Sequence, residues 1–280
     1  MTDFELEGIP VKIYEPVKSG IRFDFKEFWA YRELLYFLTW RDIKIRYKQA
    51  ALGAAWAILQ PVLSMVIFSV IFGRFAKLPS DGIPYPLFSL AALLPWQLFS
   101  GALSRAGNSL VSNRNLLTKV YFPRLVIPLS AVFAGLLDFG ISFLVLIGLM
   151  LFYGIHLTWN ILYLPFLVLF ALVTAFSVGL WLSALNVKYR DVEHVIPFLI
   201  QAWLYASPVA YSESLVPAGF LRTIYGLNPM AGVIQGFRWA LRGSSRPDEL
   251  MLVSVLVVLL LFLGGLIYFQ KMEESFADVV

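Results

Sequence analysis

Apolar and polar positions fall in long blocks along this chain, with little strand-like alternation. Six blocks are dominated by Leu, Val, Ile, Phe and Ala, at residues 53–72, 87–103, 125–153, 161–185, 195–210 and 250–269. About 20 apolar residues in a helix cross a hydrocarbon layer roughly 30 Å thick. Block 125–153 holds one acid, Asp138, and block 250–269 holds no charge. The pattern predicts an all-α integral membrane protein with six transmembrane helices.

Two segments between the blocks carry their own pattern. Ahead of the first block, "RDIKIRYK" predicts an amphipathic helix. At 100° per residue Tyr36, Trp40, Ile43 and Tyr47 share a stripe, and Arg41, Lys44 and Lys48 flank it. Asp42 and Arg46 are spaced as an i,i+4 pair on the far side. Aromatics beside cations suit a helix lying in the headgroup layer. Two readings stand: a topological anchor alone, or an anchor that also touches a partner. Residues 211–249 are interrupted by Pro217, Gly219, Gly226, Pro229 and Gly236. They predict two short helices, near 220–227 and 230–241, either re-entrant on the outer face or packed as a loop on their own bundle. Pro197 and Pro208 predict that the fifth block bends or ends early.

Composition supports the membrane reading. Of 280 residues, 59% are hydrophobic and only 14% are charged, against about 25% charged in a soluble domain. Mean hydropathy is +0.76. The first 30 residues are polar and acidic-tinged, so the first apolar block directs insertion itself. With no cysteine, disulfides, thiolate metal sites and a Cys nucleophile are excluded.

The net charge of +4 says less than where the charges lie. With the N-terminus inside, nine Lys/Arg precede the first block. Arg105, Arg114, Lys119, Arg124, Lys188, Arg190 and Lys271 fall on the same side, making sixteen of 22. Arg74, Lys77, Arg222, Arg238, Arg242 and Arg246 fall outside. The positive-inside rule therefore places both termini in the cytoplasm. The chain divides into a cytoplasmic segment 1–33, a transmembrane domain 34–270 and a tail 271–280.

Enzyme chemistry is thinly represented. His156 and His194 lack partners at metal-ligand spacing, so no metal site is expected. No G-x-x-x-x-G-K-[ST] loop occurs, so ATP hydrolysis would belong to a separate subunit and this chain holds no cofactor. Asp138, alone within its span, suits a pairing role better than a proton relay. A membrane glycan-transferring enzyme would show an acidic cluster in an aqueous loop. Asp81, Glu213, Asp248 and Glu249 are scattered instead.

Four stretches carry a family resemblance: "WRDIKIRYKQAALGAAWAILQP", "NRNLLTKVYFPRLVIPLS", "LNVKYRDVEHVIPFLIQAWLYASPVAY" and "LNPMAGVIQGFRWAL". Together they resemble the permease subunits of ABC-2 type polysaccharide exporters, in the expected order from about Leu34 to Leu241. The resemblance implies a homodimer in the cytoplasmic membrane. It also implies two nucleotide-binding subunits carrying ATP and Mg, with an undecaprenyl-linked polysaccharide such as O-antigen as substrate. Teichoic-acid and drug or lipid exporters share the architecture. Membrane lipids are the other partners, and no nucleic acid is expected.

By the same resemblance, Trp40, Arg41, Lys44, Tyr47 and Lys48 belong to the interfacial helix. Asn113, Arg114, Asn115, Leu116, Leu117, Lys119, Tyr121 and Phe122 fall on the coupling helix that meets the ATPase. Arg190 and Asp191 lie in a second loop near it, and 211–241 caps the exit. A sliding sugar chain suits broad aromatic platforms, for which Trp56, Trp96, Trp181, Trp203, Tyr205 and Tyr211 are candidates. Interfacial anchoring is the other reading of these rings.

Overall fold

Lipid offers backbone N–H and C=O groups no hydrogen-bond partners, so a spanning segment must satisfy them internally as a helix or a closed barrel. The computed structural model takes the helical solution. It describes residues 25–48, 55–155, 158–217, 219–242 and 250–273, and these contain no strand. In chain order the α-helices are α1 (Phe25–Ala30), α2 (Arg32–Lys48), α3 (Ala55–Phe68), α4 (Tyr85–Ser112), α5 (Arg114–Lys119) and α6 (Val126–Phe133). They continue with α7 (Leu136–Phe152), α8 (Leu164–Lys188), α9 (Val192–Tyr205), α10 (Phe220–Gly226), α11 (Pro229–Arg242) and α12 (Leu250–Glu273). The turn from α2 into the first block, including Gly53, lies outside the described residues. So do the segment 1–24, His156, residues 243–249 and the tail from 274.

Five helical runs are long and apolar enough to cross a membrane: Ala55–Phe75, Tyr85–Ser112, Val126–Phe152, Trp159–Lys188 and Met251–Glu273. The fifth block is not among them and ends early, as its prolines predict. Its helix, α9, has 14 residues, about 21 Å at 1.5 Å per residue. It closes in a turn at Ala206 and Ser207, just before Pro208. The short pair after it is present as α10 and α11.

α4 is the central post, about 42 Å long at 28 residues. Pro84 precedes it and Pro86 occupies its first turn, where a missing N–H leaves no bond unmade. Small residues let α8 approach closely. A side-chain carbon on Gly179 would stand 2.7 Å from Cβ of Ala106. Asn186 Nδ2 donates to Gly107 O at 3.2 Å and to Asn108 Oδ1 at 3.0 Å.

Two apolar clusters result. The larger joins α4, α8 and α11, with Phe88, Phe99, Phe237 and Leu94 fully buried. The smaller gathers at the Ser112 end and includes Leu38, Leu110, Leu117, Phe122, Ile127, Leu180 and Phe269. Arg124 closes this second cluster by donating to the Glu273 carbonyl at the last turn of α12. A cation there also complements the negative end of the helix dipole.

Candidate functional site

Three neighbourhoods concentrate polar or aromatic side chains along α4, from its Ser112 end to its Tyr85 end. At the Ser112 end, Asn113 joins α4 to α5. Its Oδ1 accepts from Arg41 Nη2 at 2.8 Å, and its own Nδ2 donates to Ser109 O at 2.8 Å. Arg114, Asn115, Lys119 and Tyr121 are exposed on and after α5, as are Arg190 and Asp191 in the α8–α9 turn. Leu117 and Phe122 instead point inward, at 5% and 4% exposure, and Leu116 packs partly against the same cluster. The run expected to couple to a partner thus divides into an outer polar face and an inner apolar one.

Further along α4, a cavity of about 360 Å³ opens between α2, α3, α4 and α7. Arg46 and Tyr47, at the end of α2, both bond to the Asp138 carboxylate in the first turn of α7. The lone intramembrane acid therefore has two partners. The expected Asp42–Arg46 pair does not form. Asp42 accepts from Arg41 at 2.8 Å, and Arg46 reaches the Asp138 carboxylate on α7 instead. Burial and the bond to Asp138 push the Tyr47 phenol up to about 12, so it stays a donor. The aromatic stripe of α2 is largely outward. Trp40 is 43% exposed, with Lys44 Nζ 5.7 Å from its ring centroid. Lys48 is exposed, and Leu38 is the buried position. Trp56 stands at the cavity rim.

At the Tyr85 end, an apolar cleft of about 630 Å³ lies between the end of α9, α10 and α12, with Trp203 and Tyr211 in its wall. Trp203 donates to Asn228 Oδ1 at 2.8 Å and meets Phe99 edge-on. Asn228 Nδ2 in turn donates to Ala206 O and Ser207 Oγ, both at 3.0 Å. The strap 207–214 is held from three sides. Tyr85 donates to Ala210 O, Ser212 to Asp81, and Arg238 to Val209 O at 3.2 Å and Tyr211 O at 3.3 Å. The Arg238 guanidinium also lies 3.5 Å from the centroid of Phe88.

The other aromatics have different settings. Tyr205 is 68% exposed on the end of α9. Trp96 is buried in the larger cluster. Trp181 donates to Leu261 O at 3.0 Å and stacks on Tyr268, fastening α8 to α12.

Arg105, counted above with the charges between the second and third blocks, and Arg238, in the second expected short helix, both lie within helices. Arg105 lies within α4, donating to Ala131 O at 3.0 Å, and Arg238 is buried in α11. The charge asymmetry keeps its sign without them. Both were findable as cations placed within otherwise apolar helical repeats.

The ABC-2 type transporter family matches residues 33–241, three quarters of the chain. The chain belongs to the ABC-2 type transporter family. This ABC-2 transporter chain is 32% identical to the O-antigen export system permease protein RfbA of Myxococcus xanthus, over 91% of this chain and 98% of that protein. It is 29% identical to the protein of the same name from Klebsiella pneumoniae, over 89% and 95%. To the polysialic acid transport protein KpsM of Escherichia coli it is 25% identical, over 83% and 91%. The matched ABC-2 region runs from α2 through α11 and takes in the first two neighbourhoods and all of the apolar cleft except its α12 wall.

Proposed function

We propose that this chain is the membrane permease subunit of an ATP-driven exporter of lipid-linked polysaccharide. The observation that carries the reading is the near full-length match to an O-antigen export permease. The two other relatives are also named for moving glycans, O-antigen and polysialic acid. The proposed substrate is an undecaprenyl-linked surface glycan of the O-antigen type, carried outward across the cytoplasmic membrane.

Two copies pair in this reading, with both termini in the cytoplasm and two ATPase subunits below. The exposed face of α5 (Arg114, Asn115, Lys119 and Tyr121), with Arg190 and Asp191, meets the ATPase. Leu116, Leu117 and Phe122 hold that face to the bundle from behind. α9 completes the crossing as a sixth, short span, and α10 with α11 caps the exit. The glycan path follows the exposed rings of Trp56 and Tyr205 and the half-buried ring of Tyr211. Trp96, Trp181 and Trp203 brace it from within the bundle.

The test is deletion of this gene in its own host, followed by separate assay of surface and cytoplasmic lipid-linked glycan. The reading expects surface glycan to fall and cytoplasmic lipid-linked glycan to accumulate. Restoring the chain should reverse both, whereas restoring it with Tyr121→Glu should not. Unchanged surface glycan after deletion refutes the exporter reading.

A further inference from the structure

Arg105 occupies a slot fitted to its guanidinium. Its Nε satisfies the Ala131 carbonyl where α6 ends, but its Nη2 is buried with no hydrogen-bond partner. Gly101 and Gly135 provide the room. A side-chain carbon on Gly135 would collide with Nη2, and one on Gly101 would stand 3.0 Å from Nη1. A buried cationic N–H left unmet is costly, and this one belongs to a residue lining the 360 Å³ cavity. That volume exceeds the roughly 30 Å³ share of one water many times over.

The cavity's charges indicate what fits. Asp138 is already answered by Arg46 and Tyr47, which leaves Arg105 as the surplus positive charge. The neutral amides of Gln60 and Gln97 also line the cavity. An anion with several acceptor oxygens suits a guanidinium and amide donors better than a neutral sugar does. The wall on the α3 side is open: Trp56 and Gln60 are exposed, and Leu59, Leu63 and Ile67 continue outward as bare apolar surface. A ligand with a phosphate head and an apolar stem would place its head on Arg105 and run its stem along α3.

We propose that this cavity binds the phosphate of a membrane lipid, with Arg105 as its principal donor. The inference rests on the membrane-permease reading above, and on the exporter function only for what else that lipid carries.

Native mass spectrometry of the purified full chain in neutral detergent tests it. The probes are a polyprenyl monophosphate, phosphatidylglycerol, phosphate-free diacylglycerol and inorganic phosphate. Wild type should retain one phosphate-bearing lipid per chain and no diacylglycerol. Arg105→Gln should cut occupancy tenfold or more, while Arg114→Gln on exposed α5 leaves it unchanged. Gly135→Ala keeps every charge but displaces the guanidinium, and should lose binding as Arg105→Gln does. Gln60→Leu should reduce occupancy severalfold, and these two variants decide the matter if Arg105→Gln fails to fold. Displacement of the lipids by millimolar inorganic phosphate makes the site one for free anion and overturns the lipid assignment. Equal retention of diacylglycerol, or wild-type occupancy in Arg105→Gln and Gly135→Ala, overturns the site. Because neither ATPase nor glycan is present, a bound phosphate lipid alongside intact surface glycan in the deletion strain would sink the exporter reading and leave this one standing.

Discussion

α3 with its continuation to Phe75 and α4 are consecutive spanning helices in contrasting settings. Only 6% of the first one's most apolar window is buried, against 78% for α4, which is the less apolar of the two. In water that order would be perverse. In a membrane the most apolar surface has no reason to hide, because lipid is as apolar as Leu, and association depends on close packing and polar contacts. α4 accordingly carries Gly101, Ala102, Ala106 and Gly107 along with Ser109, Asn108 and Arg105. α3 presents Leu59, Leu63, Val66 and Ile67 outward.

The sharpest way to break this contrast is to thicken the α4–α8 contact. Gly179→Leu forces carbon atoms into Ala106 and should cost about 3 kcal/mol or more, at the upper end of overpacking. Loss of the monodisperse folded fraction in detergent is the expected readout. Arg238→Leu comes next. It strands the carbonyls of Val209 and Tyr211 and should cost about 2–3 kcal/mol, the range for hydrogen bonds to charged groups. The natural chain lacks cysteine, so a single Cys at Ala210 can report on the strap. Its labelling by a maleimide should accelerate in the Arg238→Leu background and stay slow without it.

The clasp between α2 and α7 should be weaker, since both partners are partly exposed. Arg46→Asp and Asp138→Arg should each lower thermal stability by about 1 kcal/mol. The exchanged pair should recover at least half of that loss in a double-mutant cycle. Trp203→Phe removes one indole donor to Asn228 and should cost about 1 kcal/mol. Tyr205→Ala should change stability by less than about 0.5 kcal/mol. If Tyr205 lies on the glycan path, export per folded molecule should still fall in Tyr205→Ala while Tyr205→Phe is unaffected. A constant ratio would make the ring an anchor. The smallest effect belongs to Leu63→Phe on bare α3, within about 0.5 kcal/mol in either direction by the same melting assay.

Much of this is legible in the sequence. Block length alone predicted five of the spanning helices, and Pro217, Gly219, Gly226 and Pro229 bracketed the two short ones. The partnering of Asp138 followed from the cost of a lone carboxylate. What sequence could not supply was the choice among local and distant partners. Arg46 has Asp42 one turn away yet bonds across 92 positions, because α2 ends against the first turn of α7. The family resemblance assigns Leu117 and Phe122 to the segment that meets a partner, and it carries no information on which way each side chain points. The partner they found is the chain's own second cluster. The length of α9 depended on a turn whose backbone is held by Asn228, 22 residues downstream.

The loosening at Ala134 and Gly135, between α6 and α7, has a mechanical consequence. α6 contributes Val126 and Ile127 to the smaller cluster, whereas Val132 and α7 join the larger one. The run Val126–Phe152 is therefore a jointed rod crossing between two solid blocks, with Arg105 as the pin beside its elbow. α8 crosses the same boundary as an unbroken strut. A shift of the smaller cluster against the larger would meet a break in the helical backbone at that elbow and continuous helix along α8.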